Sequence, residues 1–308
     1  MLCYFCHSNT NSLQESSTSP RIELRHWLLL LFLSVIWGTS YILIKKAVNV
    51  YTPMQVGSLR LSISALFCLV FVWYQWKAIP WNRLKVLLLV GITGTGIPSF
   101  LFPLAQTNMS SSLAGILNSL TPLFTLILGM LLFRTKFAWA KTLGVTIGLL
   151  GAASLFLFGE KAGFEGSVAY GLLIVLATIC YATSTNLVGF YLRDVNSIII
   201  SAISFVMVGL PAMAYLFTTG FSTTLLEHPQ GWEALGYISI LAVISTVLAS
   251  ILFFKLVQIT TPVFASMISY IVPIVALLWG VLDGEVITLA HFSGMGLILV
   301  GVYLSRKS

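Results

Sequence analysis

The chain has 308 residues, 58% of them apolar and only 8% charged, with a formal charge of +7 and a mean hydropathy of +0.98. Soluble domains carry about 25% charged residues, and a water-soluble core cannot hide this much apolar side chain, so a multi-pass membrane protein is expected. The basic excess falls at the ends of apolar runs and in the short segments between them, where membrane topology accounts for it; nucleic acid is excluded as a partner.

Residues 1–25 form a tail, polar and Ser/Thr/Asn-rich over its first 20 residues, which is expected to be disordered and cytoplasmic. Its Cys3-Tyr4-Phe5-Cys6-His7 has the spacing of a haem attachment. That chemistry needs export, and the tail precedes the first membrane run with no cleavable signal, so no cofactor is expected. A bilayer crossing takes ~20 apolar residues. On that rule helix one is predicted over 27–48, helix two over 54–75, helix three over 84–106, helix four over 112–132 and helix five over 138–158. Helix six follows over 167–189, helix seven over 196–217, helix eight over 232–255, helix nine over 262–282 and helix ten over 287–305. The longest connection, Thr218 to Gly231, leaves no room for a soluble domain.

The second part of the chain repeats the first. Shifted by 151 places, Ala114 falls on Ala265, Pro122 on Pro273, Leu126 on Leu277 and Gly129 on Gly280. After a one-residue gap, Gly144 falls on Gly294 and Gly151 on Gly301. Such doubling is expected of a transporter built from two structural repeats, here 26–160 and 161–308. With the N-terminus inside, inner segments hold Arg21, Arg25, Lys77, Arg83, Lys85, Arg134, Lys136, Lys141, Arg193, Lys255, Arg306 and Lys307; outer segments hold only Lys45, Lys46 and Lys161. This bias places both termini in the cytoplasm. Each half has an odd number of helices, so the second enters the membrane from the opposite side. The fold class is therefore all-α, with ten transmembrane helices in two inverted five-helix repeats.

Several stretches then point to a family. They are Trp37-Gly38-Thr39-Ser40 followed by Lys45, Leu59-Arg60, Ser119-Leu120-Thr121-Pro122, the run from Thr261-Pro262 through Pro273, Gly284-Glu285 before Thr288, and the closing Gly296-to-Val302 run. In their order and doubling, over about residues 27 to 305, they resemble the drug/metabolite transporter superfamily, specifically its EamA-like ten-helix permeases. The resemblance implies a solute carrier working by alternating access in the plasma membrane, the inner membrane of a bacterium. It covers carriers of amino acids, nucleosides and other metabolites. One departure stands out: the family usually repeats Gly-Glu after the fourth helix, and this chain has Phe133-Arg134 there.

No catalytic or metal constellation is present in the sequence. His7, His26, His228 and His291 make no i, i+4 ligand pair, and Gly91, Gly94 and Gly96 lie inside a membrane run rather than in a phosphate loop. An enzyme acting on lipids would need a cluster of His, Asp or Glu near one interface. All nine acidic residues fall in tails, loops or helix ends. A proton-coupled exporter of cationic drugs usually needs a buried carboxylate, so neutral, zwitterionic or anionic solutes are favoured. Amino acids or related zwitterions come first and nucleoside- or adenosyl-type metabolites second. The candidate substrate-binding set is Trp37, Tyr41, Arg60, Asn118, Tyr181, Asn186 and Tyr270, aromatic, amide and charged groups within membrane runs. Pro122 and Pro273, equivalent in the repeat, are candidate hinges because each removes an intrahelical hydrogen bond. Gly144 and Gly148 are expected to serve close helix packing. Expected partners are a small-molecule substrate and the lipid bilayer, with the chain a monomer or homodimer.

Overall fold

The computed structural model describes residues 22–133, 143–144, 146–148, 150–151, 168–285 and 289–306. Among them, eight helices are long and apolar enough to cross a membrane. These are helix one, Leu24–Val48; helix two, Pro53–Tyr74; helix three, Trp81–Gln106; helix four, Ser111–Leu132; helix six, Val168–Tyr191; helix seven, Ser197–Leu216; helix eight, Gly231–Ile259; and helix nine, Pro262–Leu282. A further helix, Leu289–Arg306, occupies the place of helix ten. Predicted helix five lies largely outside the described residues; 143–144, 146–148 and 150–151 are helical. No strand occurs among the described residues. The chain is thus an all-helical, multi-pass membrane protein.

Local chemistry sets the helix starts. Helix one begins three residues before its predicted start because Glu23 and His26 form a capping box, with Glu23 N donating to His26 Nδ1 at 3.0 Å. Helix two begins on Thr52, whose hydroxyl accepts from Gln55 N, with Pro53 in the first turn. The connection from Thr218 to Gly231 is not bare: Gly220, at φ +66°, turns the chain into a short helix, Phe221–Glu227.

The packing inverts that of a soluble protein. Helix one exposes Leu28, Leu31, Phe32 and Val35, which lipid covers, while Ser34 and Ser40 are buried and return their hydroxyls to Leu30 O and Ile36 O. Small residues set the closest approaches, as expected where lipid competes equally for apolar surface. A Cβ at Gly301 would stand 2.4 Å from Gly148 N and 2.5 Å from Gly144 O, so the Gly144/Gly148 face packs against helix ten. Cys68 and Cys180 are buried free thiols.

Four membrane helices are irregular, and they fall in two pairs. Helix four breaks at Ser119-Leu120 into Ser111–Asn118 and Thr121–Phe133, and helix nine breaks at Met267 into Pro262–Ser266 and Ile268–Leu282. Helix three carries a π-helical stretch at Ile92–Gly96 and helix eight one at Leu241–Leu248. Such stretches appear often at functional sites, and in a membrane irregular backbone must be buried in protein or line a cavity.

Candidate functional site

The irregular stretches of helices three, four and eight, with helices one, two, six and nine, surround one cavity. Its space, counting the open mouth, amounts to about 840 Å³. The π-helical stretches supply Gly94 and Thr95 from helix three and Ser245 and Thr246 from helix eight. These pairs are related by the same 151-residue shift as the rest of the repeat. Helix one contributes Trp37 and Tyr41, helix four Asn118 and Thr121, helix six Tyr181, Ser184 and Thr185, and helix nine Ser266 and Ser269.

The aromatic wall is held by ring contacts. Tyr41 meets Phe102 edge-on at 5.7 Å, Phe102 stacks on Tyr181 at 5.8 Å, and Trp37 lies against Phe253 at 5.0 Å. Trp37 Nε1 donates to Ser245 O at 2.8 Å, tying helix one to the π-helical stretch of helix eight. Arg60 is buried at 7% exposure, and its Nε donates to Thr246 Oγ1 at 2.7 Å. It does not reach along helix two to the headgroups; its charge stays at the cavity.

Five of the seven predicted binding residues line this cavity: Trp37, Tyr41, Arg60, Asn118 and Tyr181. Asn186 does not. Its Nδ2 donates to Thr125 O at 2.9 Å and Ala182 O at 3.0 Å, so it joins helix six to helix four. Tyr270 is half-buried and stands outside the lining. Pro122 is the second residue of the helix that restarts after Ser119-Leu120, and Pro273 lies five residues into the helix that restarts after Met267. The two breaks are therefore not at equivalent offsets from their prolines. Sequence reasoning missed Thr95, Thr246, Ser184, Phe102 and Phe253. The available signal was the 151-residue shift, which carries the polar step Gly94-Thr95 onto Ser245-Thr246 within apolar runs.

One end of the bundle above the cavity is tied by ions. Lys45 Nζ lies 2.9 Å from both Asp283 Oδ2 and Glu285 Oε1, and Lys46 Nζ lies 2.5 Å from Asp283 Oδ1. Glu285 also accepts from Ser111 N at 2.9 Å, Ser112 N at 3.1 Å and Ser112 Oγ at 2.5 Å, closing the N-terminus of helix four. Burial alone would raise the Glu285 carboxyl; hydrogen bonds from Lys45, Ser112 and Ser111 outweigh it and hold the group below its ordinary value. Asp283 follows the same balance, with Lys46 and Lys45 as the lowering partners. The other end is held by polar contacts to backbone: Arg83 Nη1 to Tyr191 O at 3.0 Å, Arg193 Nη2 to Thr260 O at 3.0 Å and Gln258 Nε2 to Leu192 O at 2.7 Å.

Irregular helices around a polar, aromatic cavity inside an apolar bundle define the class: a multi-pass membrane protein with a cavity among its helices. The EamA-like transporter model matches the chain twice, over residues 25–157 and 169–306, and the chain belongs to that family. It is 26% identical over 286 residues to an uncharacterised transporter of Archaeoglobus fulgidus, covering 91% of this chain and 98% of that one. It is 25% identical over 277 residues to the inner membrane transporter YedA of Escherichia coli K12, covering 88% and 87%. It is 25% identical over 290 residues to a protein of Chlamydia muridarum named as an S-adenosylmethionine/S-adenosylhomocysteine transporter, covering 89% and 90%. A crystal structure 16% identical to this chain matches it with a TM-score of 0.59, covering 92% of this chain and 97% of that one, and supports the fold. The protein is a transporter, not an enzyme.

Proposed function

We propose that this protein is a secondary carrier that moves a small polar metabolite, an amino acid or related zwitterion, across the plasma membrane by alternating access. The observation that carries the reading is the cavity's construction. Both halves of the chain contribute to it, and Gly94-Thr95 and Ser245-Thr246 enter at equivalent positions of the two repeats. In inverted-repeat carriers the solute sits where equivalent helices of the halves meet. In this reading the chain forms ten helices in two inverted halves, 26–160 and 161–308, with cytoplasmic termini. Trp37, Tyr41, Asn118 and Tyr181 contact the solute, and Pro122 and Pro273 are the bending points. A second reading, an adenosyl- or nucleoside-type solute, draws on the printed name of the Chlamydia muridarum relative and on the Phe102–Tyr181 stack, which offers flat faces to a base.

The test compares the metabolite content of vesicles with and without the protein after incubation with a cell extract. At least one amino acid or adenosyl metabolite is expected to differ, with saturable flux that falls roughly tenfold in Asn118→Leu, whose cavity amide is lost. Identical metabolite content in the two vesicle sets removes the carrier reading.

A further inference from the structure

The cavity is neutral on every side but one. Among the described residues its lining contains no Asp, Glu, Lys or His, and Arg60 is the one charged residue there. Helix seven, Ser197–Leu216, has no charged residue at all, so the second half supplies nothing that mirrors helix two's arginine. Arg60 is 7% exposed, and no carboxylate among the described residues forms an ion pair with it.

The guanidinium is held in place. Its Nε donates to Thr246 Oγ1 at 2.7 Å, and that hydroxyl donates in turn to Leu241 O at 2.8 Å, five residues back along the π-helical stretch. The hydroxyl proton is committed to the backbone and a lone pair to Arg60, so the threonine orients the arginine. The donors on Nη1 and Nη2 have no protein acceptor among the described residues. A buried charge without a partner is costly, and its complement must come from what enters the cavity. Tyr41 and Tyr181 line the same space, and their hydroxyls donate to no protein acceptor among the described residues.

We propose that Arg60 is the specificity-determining residue of this cavity, receiving a carboxylate of the solute through its Nη donors while Thr246 fixes its orientation. The planar fork of a guanidinium matches a carboxylate with two parallel hydrogen bonds. Charge selects the class further. A monocarboxylate anion brings the loaded cavity to zero charge, and a zwitterion leaves the net charge unchanged but pairs the guanidinium with its carboxylate. A phosphate monoester dianion leaves the cavity negative, and a cation without an acid group meets a like charge. An ammonium on the same solute is met by neutral oxygens such as the Asn118 side chain. The proposal rests on the carrier reading for its biological meaning, and it is tested by binding, which needs no flux.

The probes are benzoate and benzamide, close in shape and different in charge, each sized for the aromatic wall. Their affinities for the purified full chain in detergent are read by thermal unfolding at constant ionic strength. Benzoate is expected to bind about tenfold or more tightly than benzamide. Arg60→Gln should erase the difference, and Arg60→Lys should keep a weaker preference for benzoate. Should Arg60→Gln elute as aggregate, Thr246→Val carries the test: the charge stays, its orientation is lost, and benzoate should weaken more than benzamide. A wild type that binds the two probes alike or binds neither, a benzoate preference that survives Arg60→Gln, or a Thr246→Val variant with unaltered preference overturns the proposal. Failure of the carrier reading would show separately, as absent solute flux in vesicles.

Discussion

Gly91 and Gly94 lie three residues apart at the π-helical stretch of helix three, yet a methyl group added to each would meet different neighbours. At Gly91 the new Cβ would stand 2.6 Å from Ser204 O, a backbone atom of helix seven. At Gly94 it would stand 2.4 Å from Ser184 Oγ, the end of a side chain that can turn away. Gly91→Ala is therefore expected to destabilise the protein by roughly 1–3 kcal/mol, as overpacking does. Gly94→Ala should lose clearly less, since the Ser184 hydroxyl can turn away and its Cβ, 3.1 Å from the new methyl, need give only a few tenths of an ångström. Thermal unfolding in detergent reads both, and equal losses would refute the distinction. Individual residues were legible in the sequence where their type is rare in a membrane run. Arg60, Trp37 and Tyr181 stand out by charge or ring. Asn186 stood out equally, but its amide is consumed by Thr125 O and Ala182 O. Thr95, Ser184 and Thr246 did not stand out, because serine and threonine commonly return their hydroxyls to their own helix, as Ser62 does to Ser58 O at 2.7 Å.

Helices four and nine show what the repeat settled at the scale of the element. Their N-terminal caps are equivalent: Ser110 accepts from Leu113 N and Thr261 accepts from Phe264 N, 151 residues apart. Beyond the caps the symmetry fails. Glu285 closes the start of helix four, and the position equivalent to it is Arg134, outside the described residues. The motif was readable, since Gly284 at φ +79° turns the chain to bring Glu285 back over helix nine. Its partners were not, because Lys45 lies 240 residues away in the chain. The ion cluster sets a pH dependence with a definite sign. Both acids have lowered values in the folded protein, so the stability they contribute is fully present above the ordinary carboxylate range, about pH 4. It is lost as pH falls through their lower folded values. Glu285→Gln should therefore melt below wild type at pH 7, with the gap narrowing only below about pH 4. It should also increase labelling of a Ser40→Cys cavity thiol by a reagent supplied from the Lys45 end. A gap that closes between pH 6 and 8 would assign the effect to some other group.

At the scale of the whole molecule, hydropathy located the membrane helices because lipid imposes one length and one polarity on every crossing. It did not reveal the breaks in helices four and nine or the π-helical stretches, because their few polar and small residues, such as Thr93-Gly94-Thr95 and Asn118-Ser119, are averaged out over the length of a crossing. The ties at the two ends constrain how the chain threads the bilayer. The end of helix one (Lys45), the start of helix four (Ser111) and the end of helix nine (Asp283) meet at one end. The start of helix three (Arg83), the end of helix six (Tyr191) and the end of helix eight (Thr260, bonded by Arg193) are joined by the other set of bonds. Helices one and nine thus finish at one end, and helices six and eight at the other. The proposed inverted ten-helix topology, with a single crossing between helices four and six, is consistent with that arrangement. In that proposal the bias of the basic residues sets the sense, with the Arg83, Arg193 end in the cytoplasm. Single cysteines make this measurable in a cysteine-free background: Arg193→Cys should react with a membrane-impermeant maleimide only after the cells are opened, and Asp283→Cys should react in intact cells. Labelling of both from the same side would mean an even number of crossings between helices six and nine, and the inverted topology would fall with it.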